Sequence, residues 1–213
     1  MNLREKEITY QATNTYATLN TLTNQTKNIW IVFHGMGYLS RYFLRYFETF
    51  NAVNNYFIAP QAPSKYYIGP KFKHVGASWL TKENTAAETK NVLNYVDSVI
   101  DSEDLPKNKN IILLGYSQGV SIAMRYLASK KVTCHQLIIH SGGIPKELIK
   151  ENFSFLSHQF KVNLVYGTQD EFLNEERILN EINRAKELFS NEIKVSPFDD
   201  GHIVNTAILK SLI

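Results

Sequence analysis

The sequence has few of the features that indicate a disulfide framework, a membrane segment or a nucleic-acid partner. Its one cysteine, Cys134, cannot form an internal disulfide, and no metal-ligand spacing surrounds it. No stretch approaches the roughly 20 apolar residues that span a bilayer. The net charge is +3 and the longest basic run is Lys130-Lys131, which is too little for a nucleic-acid footprint. We therefore expect no nucleic-acid partner, no metal and no stable membrane insertion.

The beginning of the chain is charged rather than apolar. Met1 to Glu7 read MNLREKE with no apolar run behind them, so we expect no signal peptide. A lone thiol fits a reducing compartment, and we expect a cytoplasmic protein. The chain has 213 residues, 44% of them hydrophobic and 20% charged. Because this length suits one well-buried core, we predict a single globular domain over residues 1–213.

Two short segments near the start alternate in polarity. They are residues 8–11 (ITYQ) and 16–19 (YATL), joined at Thr13-Asn14. Alternation with a period of two is typical of a half-buried strand. The pattern predicts an N-terminal antiparallel hairpin at the edge of a sheet.

From residue 29 onward, short apolar runs alternate with longer segments of helical period. Runs that are apolar on both faces predict strands buried on both sides, as in a parallel sheet covered by helices. The predicted strands are residues 28–34, 56–59, 110–115, 136–140, 161–166 and 192–196. Residues 83–100 and 171–189 carry apolar residues at helical spacing. This alternation predicts a doubly wound α/β sheet, in which ligands bind at the carboxyl ends of the strands.

A Gly-x-Ser-x-Gly pattern follows one of the predicted strands. Gly115-Tyr116-Ser117-Gln118-Gly119 comes after the run IILL and before a segment of helical period. This is the context of a nucleophile on a sharp strand-to-helix turn, where the flanking glycines allow strand and helix to approach closely. The helix N-terminus behind the serine would favour a developing negative charge. We predict that Ser117 is a catalytic nucleophile.

A serine hydroxyl needs a base, and the base needs a carboxylate that orients it. Asp170 follows the strand KVNLVY and His202 follows the strand EIKVS, so both lie just past strand ends. In α/β sheets whose nucleophilic serine lies on such a turn, the acid follows the serine along the chain and the histidine follows the acid. The sequence therefore predicts a triad of Ser117, Asp170 and His202.

Other acids and histidines are rivals for these roles. Glu171 is predicted to begin the next helix and to point away from the site. Asp199 and Asp200 lie too close to His202 in sequence to reach its far nitrogen, so we predict that they shape the loop or are solvated. His140 ends a strand and either lines the site or is a buried histidine with satisfied hydrogen bonds. The remaining histidines are predicted to lie at the surface or beside a strand: His74, His135 and His158.

Acyl transfer also needs two N–H donors for the oxygen that gains charge. The residue after the nucleophile, Gln118, is the first predicted donor. The loop His34-Gly35-Met36-Gly37 follows the first strand of the α/β region, and its glycines allow the Met36 N–H to point inward. We predict Met36 and Gln118 as the oxyanion hole.

These pieces resemble the phospholipase/carboxylesterase family of small α/β-hydrolases, which includes acyl-protein thioesterases and bacterial carboxylesterases. The matching segments run in the family's order over almost the whole chain: FHGMG (33–37), IAPQAP (58–63), ASWL (77–80), GYSQG (115–119), HSGGIP (140–145), YGTQD (166–170) and DGHIV (200–204). The resemblance implies an α/β-hydrolase fold without a cap domain. It also implies hydrolysis of carboxylic esters or thioesters without a cofactor, by the residues assigned above.

The resemblance implies less about the substrate. Gly35, Tyr38 and Trp79 are predicted substrate contacts, and the segment between Pro63 and Trp79, which would overhang the pocket, differs from the family in its details. The expected partner is a small acyl ester or thioester. The aromatic helix after the HGMG loop is expected to line the core and a groove, and it also allows an acyl-chain surface or a homodimer. A peptidase, a lactone hydrolase or a non-catalytic ligand-binding relative are the alternatives.

Overall fold

The computed structural model describes residues 2–189 and 193–213. Nine strands lie within these ranges: β1 (Tyr16–Leu19), β2 (Asn28–Phe33), β3 (Asn55–Pro60), β4 (Ser64–Ile68), β5 (His74–Ser78), β6 (Asn110–Tyr116), β7 (Gln136–His140), β8 (Lys161–Gly167) and β9 (Ile193–Phe198). The five α-helices there are α1 (Ser40–Phe43), α2 (Thr85–Ser102), α3 (Gln118–Lys130), α4 (Glu175–Leu188) and α5 (Thr206–Ser211). Glu192, the first residue of the last predicted strand, lies outside the described residues.

Seven strands form one sheet in the order β1-β3-β2-β6-β7-β8-β9. All neighbours are parallel except β1, which runs antiparallel to β3. The alternation of buried strands and helices thus confirms the predicted α/β fold with its antiparallel N-terminal edge. In the parallel pairing of β2 with β6, Phe33 is opposite Gly115, so the segments that follow these strands leave the sheet side by side.

The partner of the N-terminal strand differs from the prediction. Residues 8–11 form no strand, and Tyr16–Leu19 pairs with β3 instead of with them. Ile8 and Tyr10 are exposed. A two-stranded hairpin on its own is marginal in water, whereas β3 is buried along its whole length and offers a full ladder of hydrogen bonds. The predicted edge position is correct, but the predicted partner is wrong.

The two faces of the sheet carry separate apolar clusters, because successive strand residues point to opposite faces. On β2, Ile29, Ile31 and Phe33 pack into the cluster that also contains buried residues of α2, α3 and α4. Trp30 and Val32 pack into the other cluster, with Phe43 and Leu209 from α1 and α5. Helices therefore cover both faces, as the doubly wound prediction requires.

The lone cysteine belongs to the first of these clusters. Cys134 precedes β7 and is buried. Burial raises the pKa of its thiol to about 12, because a thiolate there would lose its hydration.

Strands β4 and β5 form a separate antiparallel hairpin between β3 and α2. β4 is exposed along its whole length, so the hairpin stands at the surface. Sequence patterns did not predict these two strands. Within residues 2–189 and 193–213, no helix is long and apolar enough to cross a membrane.

Candidate active site

Ser117 occupies the sharp turn between β6 and α3. Its backbone angles are φ 52° and ψ −121°, a conformation that residues with a side chain rarely adopt and that costs on the order of 1–3 kcal/mol. The Ser117 N–H donates to the His140 carbonyl oxygen at 2.9 Å, which ties the turn to the neighbouring strand. The turn thus holds the hydroxyl at the carboxyl edge of the sheet.

The two glycines of the turn stand where no side chain fits. A Cβ on Gly119 would lie 2.0 Å from the carbonyl oxygen of Phe33, and a Cβ on Gly115 would lie 2.4 Å from the Cα of Val120. Both contacts are with backbone atoms, which cannot move aside without shifting a strand or the helix. The glycine spacing in the sequence therefore has the steric cause that was predicted for it.

The imidazole of His202 bridges the other two predicted triad side chains. Its Nε2 lies 2.9 Å from Ser117 Oγ, and its Nδ1 lies 2.6 Å from Asp170 Oδ2. Along the chain, His202 is 85 positions from the serine and 32 from the aspartate. The three residues follow β6, β8 and β9, and the parallel sheet brings these strand ends together.

Backbone groups set the orientation of the Asp170 carboxylate. Its Oδ1 accepts hydrogen bonds from the N–H groups of Phe172 and Leu173 at 2.8 and 3.2 Å. The carboxylate has no solvent-exposed surface. Since Oδ1 is occupied in this way, Oδ2 is left to face His202.

Aromatic neighbours hold His202 from two sides. The Tyr116 hydroxyl donates to the His202 carbonyl oxygen at 2.8 Å, and the Tyr116 ring lies 5.2 Å from the imidazole. The ring of Phe172 stands edge-on to the imidazole at 4.9 Å. Phe172 is itself exposed, so it forms part of the open rim next to the histidine.

Two other histidines near the site are buried and already fully hydrogen-bonded. His140 accepts from the Asn205 N–H through Nε2, and its Nδ1 lies 3.1 Å from the hydroxyl of the next residue. His34 accepts from the Ala62 N–H through Nε2 and donates through Nδ1 to the carbonyl of the next residue. Burial lowers the pKa of His140 to about 3, with a contribution from nearby His202, and that of His34 to about 4. Both rings are therefore neutral at pH 7, with no free nitrogen to act as a base.

The acidic rivals lie outside the hydrogen-bonded chain. Asp199 accepts from the side-chain amide of Gln169, and Asp200 accepts from the N–H of Gly201, so both shape the loop before His202. Glu171 is exposed, but it lies in the loop before α4 and does not begin that helix as predicted. His74, His135 and His158 are exposed.

The loop after β2 runs directly beside the serine. A Cβ on Gly35 would lie 3.2 Å from the Cβ of Ser117, so this glycine lets the backbone approach. Among the residues that the structure describes, neither the Met36 N–H nor the Gln118 N–H donates a hydrogen bond. Their role as oxyanion donors stays a prediction.

The predicted substrate contacts have different surroundings. Tyr38 is half-buried, with its hydroxyl 3.0 Å from that of Tyr46, and burial raises its pKa. Trp79 is completely buried, and its indole N–H donates to the His34 carbonyl oxygen at 2.7 Å. The prediction of a substrate contact is wrong for the Trp79 side chain, because it packs behind the loop after β2 instead of facing solvent. Gly35 and Tyr38 stay predicted contacts.

Sequence reasoning missed one participant at the site, the side chain of Gln118. Its amide oxygen accepts from the Trp79 N–H at 2.9 Å, and its amide nitrogen donates to the Leu80 carbonyl oxygen at 2.8 Å. It thereby joins the N-terminus of α3 to the end of β5. No local pattern could have indicated this, because the partners lie about 40 positions away in the sequence.

The fold and the arrangement at its strand ends define an α/β-hydrolase. The model of the phospholipase/carboxylesterase family matches residues 14–210. This chain belongs to the phospholipase/carboxylesterase family.

Solved structures with the same fold are distant in sequence. Acyl-protein thioesterase 2 of Zea mays is 14% identical, with a TM-score of 0.68 over 93% of this chain and 96% of its own. Esterase PE8 is 19% identical, with a TM-score of 0.68 over 94% and 99%. A phospholipase/carboxylesterase of Dyadobacter fermentans is 17% identical, with a TM-score of 0.64 over 96% of each chain. No curated protein sequence matches this one significantly.

Proposed function

We propose that the chain is a serine hydrolase that cleaves carboxylic esters or thioesters, with Ser117 as its nucleophile. The observation that carries this proposal is the continuous hydrogen-bonded chain from Ser117 Oγ through the His202 imidazole to Asp170. Family membership and the esterase and acyl-protein thioesterase among the similar structures support the choice of an acyl substrate.

In the first step, His202 Nε2 takes the proton of Ser117 Oγ as the oxygen attacks the acyl carbonyl carbon. Asp170 stabilises the imidazolium that forms, because its buried carboxylate accepts from Nδ1. The imidazolium then gives its proton to the leaving alcohol or thiol, and the acyl group stays on Ser117. Water, deprotonated by His202, releases the acid by the same route.

The negative charge of each tetrahedral intermediate collects on the former carbonyl oxygen. The free N–H groups of Met36 and Gln118 are the proposed donors to this oxygen. Gln118 is also the first residue of α3, so the helix N-terminus adds a favourable partial charge. Removal of one such donor costs about 10²–10³ in kcat in enzymes of this type.

Exposed apolar side chains lie along the loop after β2 and beside His202, and they suit an acyl chain. Met36 and Phe172 are both exposed, one beside the proposed oxyanion loop and the other against His202. Tyr66 and Ile68 of the β4–β5 hairpin lie near Gly37: a Cβ added to this glycine would be within 4 Å of both side chains. We propose that the acyl chain lies along this open surface, since contact with apolar groups removes it from water.

Turnover of p-nitrophenyl acetate, butyrate and octanoate by the wild type and Ser117→Ala tests the proposal. We expect wild-type turnover and a loss of at least about 10³-fold in the variant. The variant removes one oxygen atom from a half-buried side chain, so an unchanged melting temperature shows that the loss is chemical. Equal rates in the two proteins would reject Ser117 as the nucleophile.

A further inference from the structure

The predicted oxyanion loop contains two glycines, and its own hydrogen bonds are made at one point: the Gly35 carbonyl oxygen accepts from His34 Nδ1 at 2.8 Å and from the Tyr38 N–H at 3.3 Å. Met36 stands between Gly35 and Gly37, and glycine adopts many backbone conformations at low cost. Gly37 itself has a φ of +88°. An oxyanion donor stabilises the transition state only when it points at the oxygen before the reaction begins. The hydrogen bonds to the Gly35 carbonyl hold one end of the Met36 peptide, and groups outside the loop that hold the neighbouring peptides add to this.

Residues 77–80, here called the strap, hold the loop on both sides of Met36. The Ala77 carbonyl oxygen accepts from the Gly37 N–H at 2.9 Å. The Trp79 indole N–H donates to the His34 carbonyl oxygen at 2.7 Å, and the indole packs 5.0 Å from the His34 ring. The peptide that bears the Met36 N–H is thus anchored just before and just after.

The same strap is bound to the other predicted donor. The Gln118 side chain accepts from the Trp79 N–H and donates to the Leu80 carbonyl oxygen, at 2.9 and 2.8 Å. It also lies within hydrogen-bonding distance of the Ser78 hydroxyl. Gln118 is therefore a proposed backbone donor at the site, and its side chain is hydrogen-bonded to the strap.

A close backbone contact between Gly76 and Gly37 adds to these hydrogen bonds. A Cβ on Gly76 would lie 2.5 Å from the Gly37 carbonyl oxygen and 2.7 Å from its Cα. Backbone packs here directly on backbone, because Gly76, the residue of β5 just before the strap, has no side chain. The chain just before the strap is therefore in direct contact with the loop.

We propose that the strap sets the distance and angle between the two oxyanion donors, and that Trp79 and the Gln118 side chain are its positioning residues. The inference rests on the proposed function, since it concerns the oxyanion of that same reaction. A strap with this role acts on the transition state and leaves substrate binding unchanged. A strap that only stabilises the fold would lower the melting temperature without a selective effect on kcat.

Trp79→Phe tests the proposal, with Trp30→Phe as its matched control. Both indoles are completely buried, and each donates one hydrogen bond, that of Trp30 going to Asn55 Oδ1 at 3.0 Å. Trp30 lies in the apolar cluster on the other face of the sheet. The two variants thus lose similar contacts, but only one of the lost hydrogen bonds reaches the loop.

The measurements are kcat and KM for p-nitrophenyl butyrate, the inhibition constant of butylboronic acid and the melting temperature. The boronate forms a tetrahedral adduct with serine, so its affinity reports on the oxyanion donors. For Trp79→Phe we expect kcat to fall about tenfold, less than for complete loss of a donor, and the inhibition constant to rise by a similar factor. KM should stay within about twofold, and Trp30→Phe should keep the wild-type kcat.

Gln118→Met is a second variant, in case Trp79→Phe does not fold. It keeps the side-chain length and the backbone N–H but loses every hydrogen bond to the strap, and we expect the same selective loss of kcat. Wild-type kcat and boronate affinity in the folded variants would overturn the proposal. An equal loss in Trp30→Phe would do so as well, because the effect would then follow stability. Equal turnover by wild type and Ser117→Ala would reject the proposed function itself.

Discussion

Lowering the pH from 7 to 5 should destabilise the folded chain by about 4 kcal/mol, through His34 and His140. Both rings have an ordinary pKa of 6.5, which burial lowers to about 4 and about 3. Below pH 6.5 the unfolded chain therefore binds protons that the folded chain does not. pH 5 lies above both folded-state pKa values and about 1.5 units below the unfolded-state pKa. Each histidine therefore lowers the free energy of unfolding by about 2 kcal/mol at this pH. Since domains of this kind unfold at about 5–15 kcal/mol, the loss is large.

Urea unfolding at pH 7, 6 and 5, followed by tryptophan fluorescence, measures this change. His140→Asn should be less stable at pH 7, yet lose about 2 kcal/mol less than the wild type on acidification. His74→Asn is the control, because it makes the same substitution at an exposed position on β5. A free energy of unfolding that differs by less than about 1 kcal/mol between pH 7 and pH 5 would refute the reasoning.

Three further changes have expected outcomes. Asp170→Asn should lower kcat by about 10⁴-fold with little change in KM, because the amide cannot hold the same histidine tautomer; steady-state kinetics measure this. Gly119→Ala should destabilise the fold by about 3 kcal/mol, measured by urea unfolding, since its Cβ would meet the Phe33 carbonyl oxygen at 2.0 Å; wild-type stability would contradict the steric argument. Phe172→Ala should raise KM for p-nitrophenyl octanoate more than for the acetate, because the exposed ring beside His202 offers apolar surface to a long chain; equal changes for both esters would count against that contact.

The buried strands were predictable because burial on both faces leaves a local mark. The runs at 28–34 and 136–140 are apolar between their polar end residues, and the bounds of β2 and β7 differ from them by at most one residue. The pairing of the first strand was not predictable in this way, since Tyr16–Leu19 finds its partner about 40 positions later in β3. The β4–β5 hairpin was missed because its strands are mostly exposed and carry no periodic pattern.

At the site, the chain order of chemically distinct residues predicted which side chains meet. Ser117, Asp170 and His202 each follow a strand, and parallel strands end at the same edge of a sheet. Trp79 was misassigned because a tryptophan beside a family motif gives no sign of which way its ring points. Burial and hydrogen bonds decide that, and they depend on the His34 carbonyl, which is 45 positions away.

The single buried cysteine makes the chain a ready background for site-specific labelling. Alkylating reagents attack thiolates, and Cys134 is both shielded from solvent and protonated at neutral pH, since its pKa is about 12. A cysteine introduced at an exposed position such as Phe72, in the loop that connects β4 and β5, would then be the one that reacts. A fluorophore or spin label there would report how the hairpin responds to an acyl ligand, without removal of the native thiol.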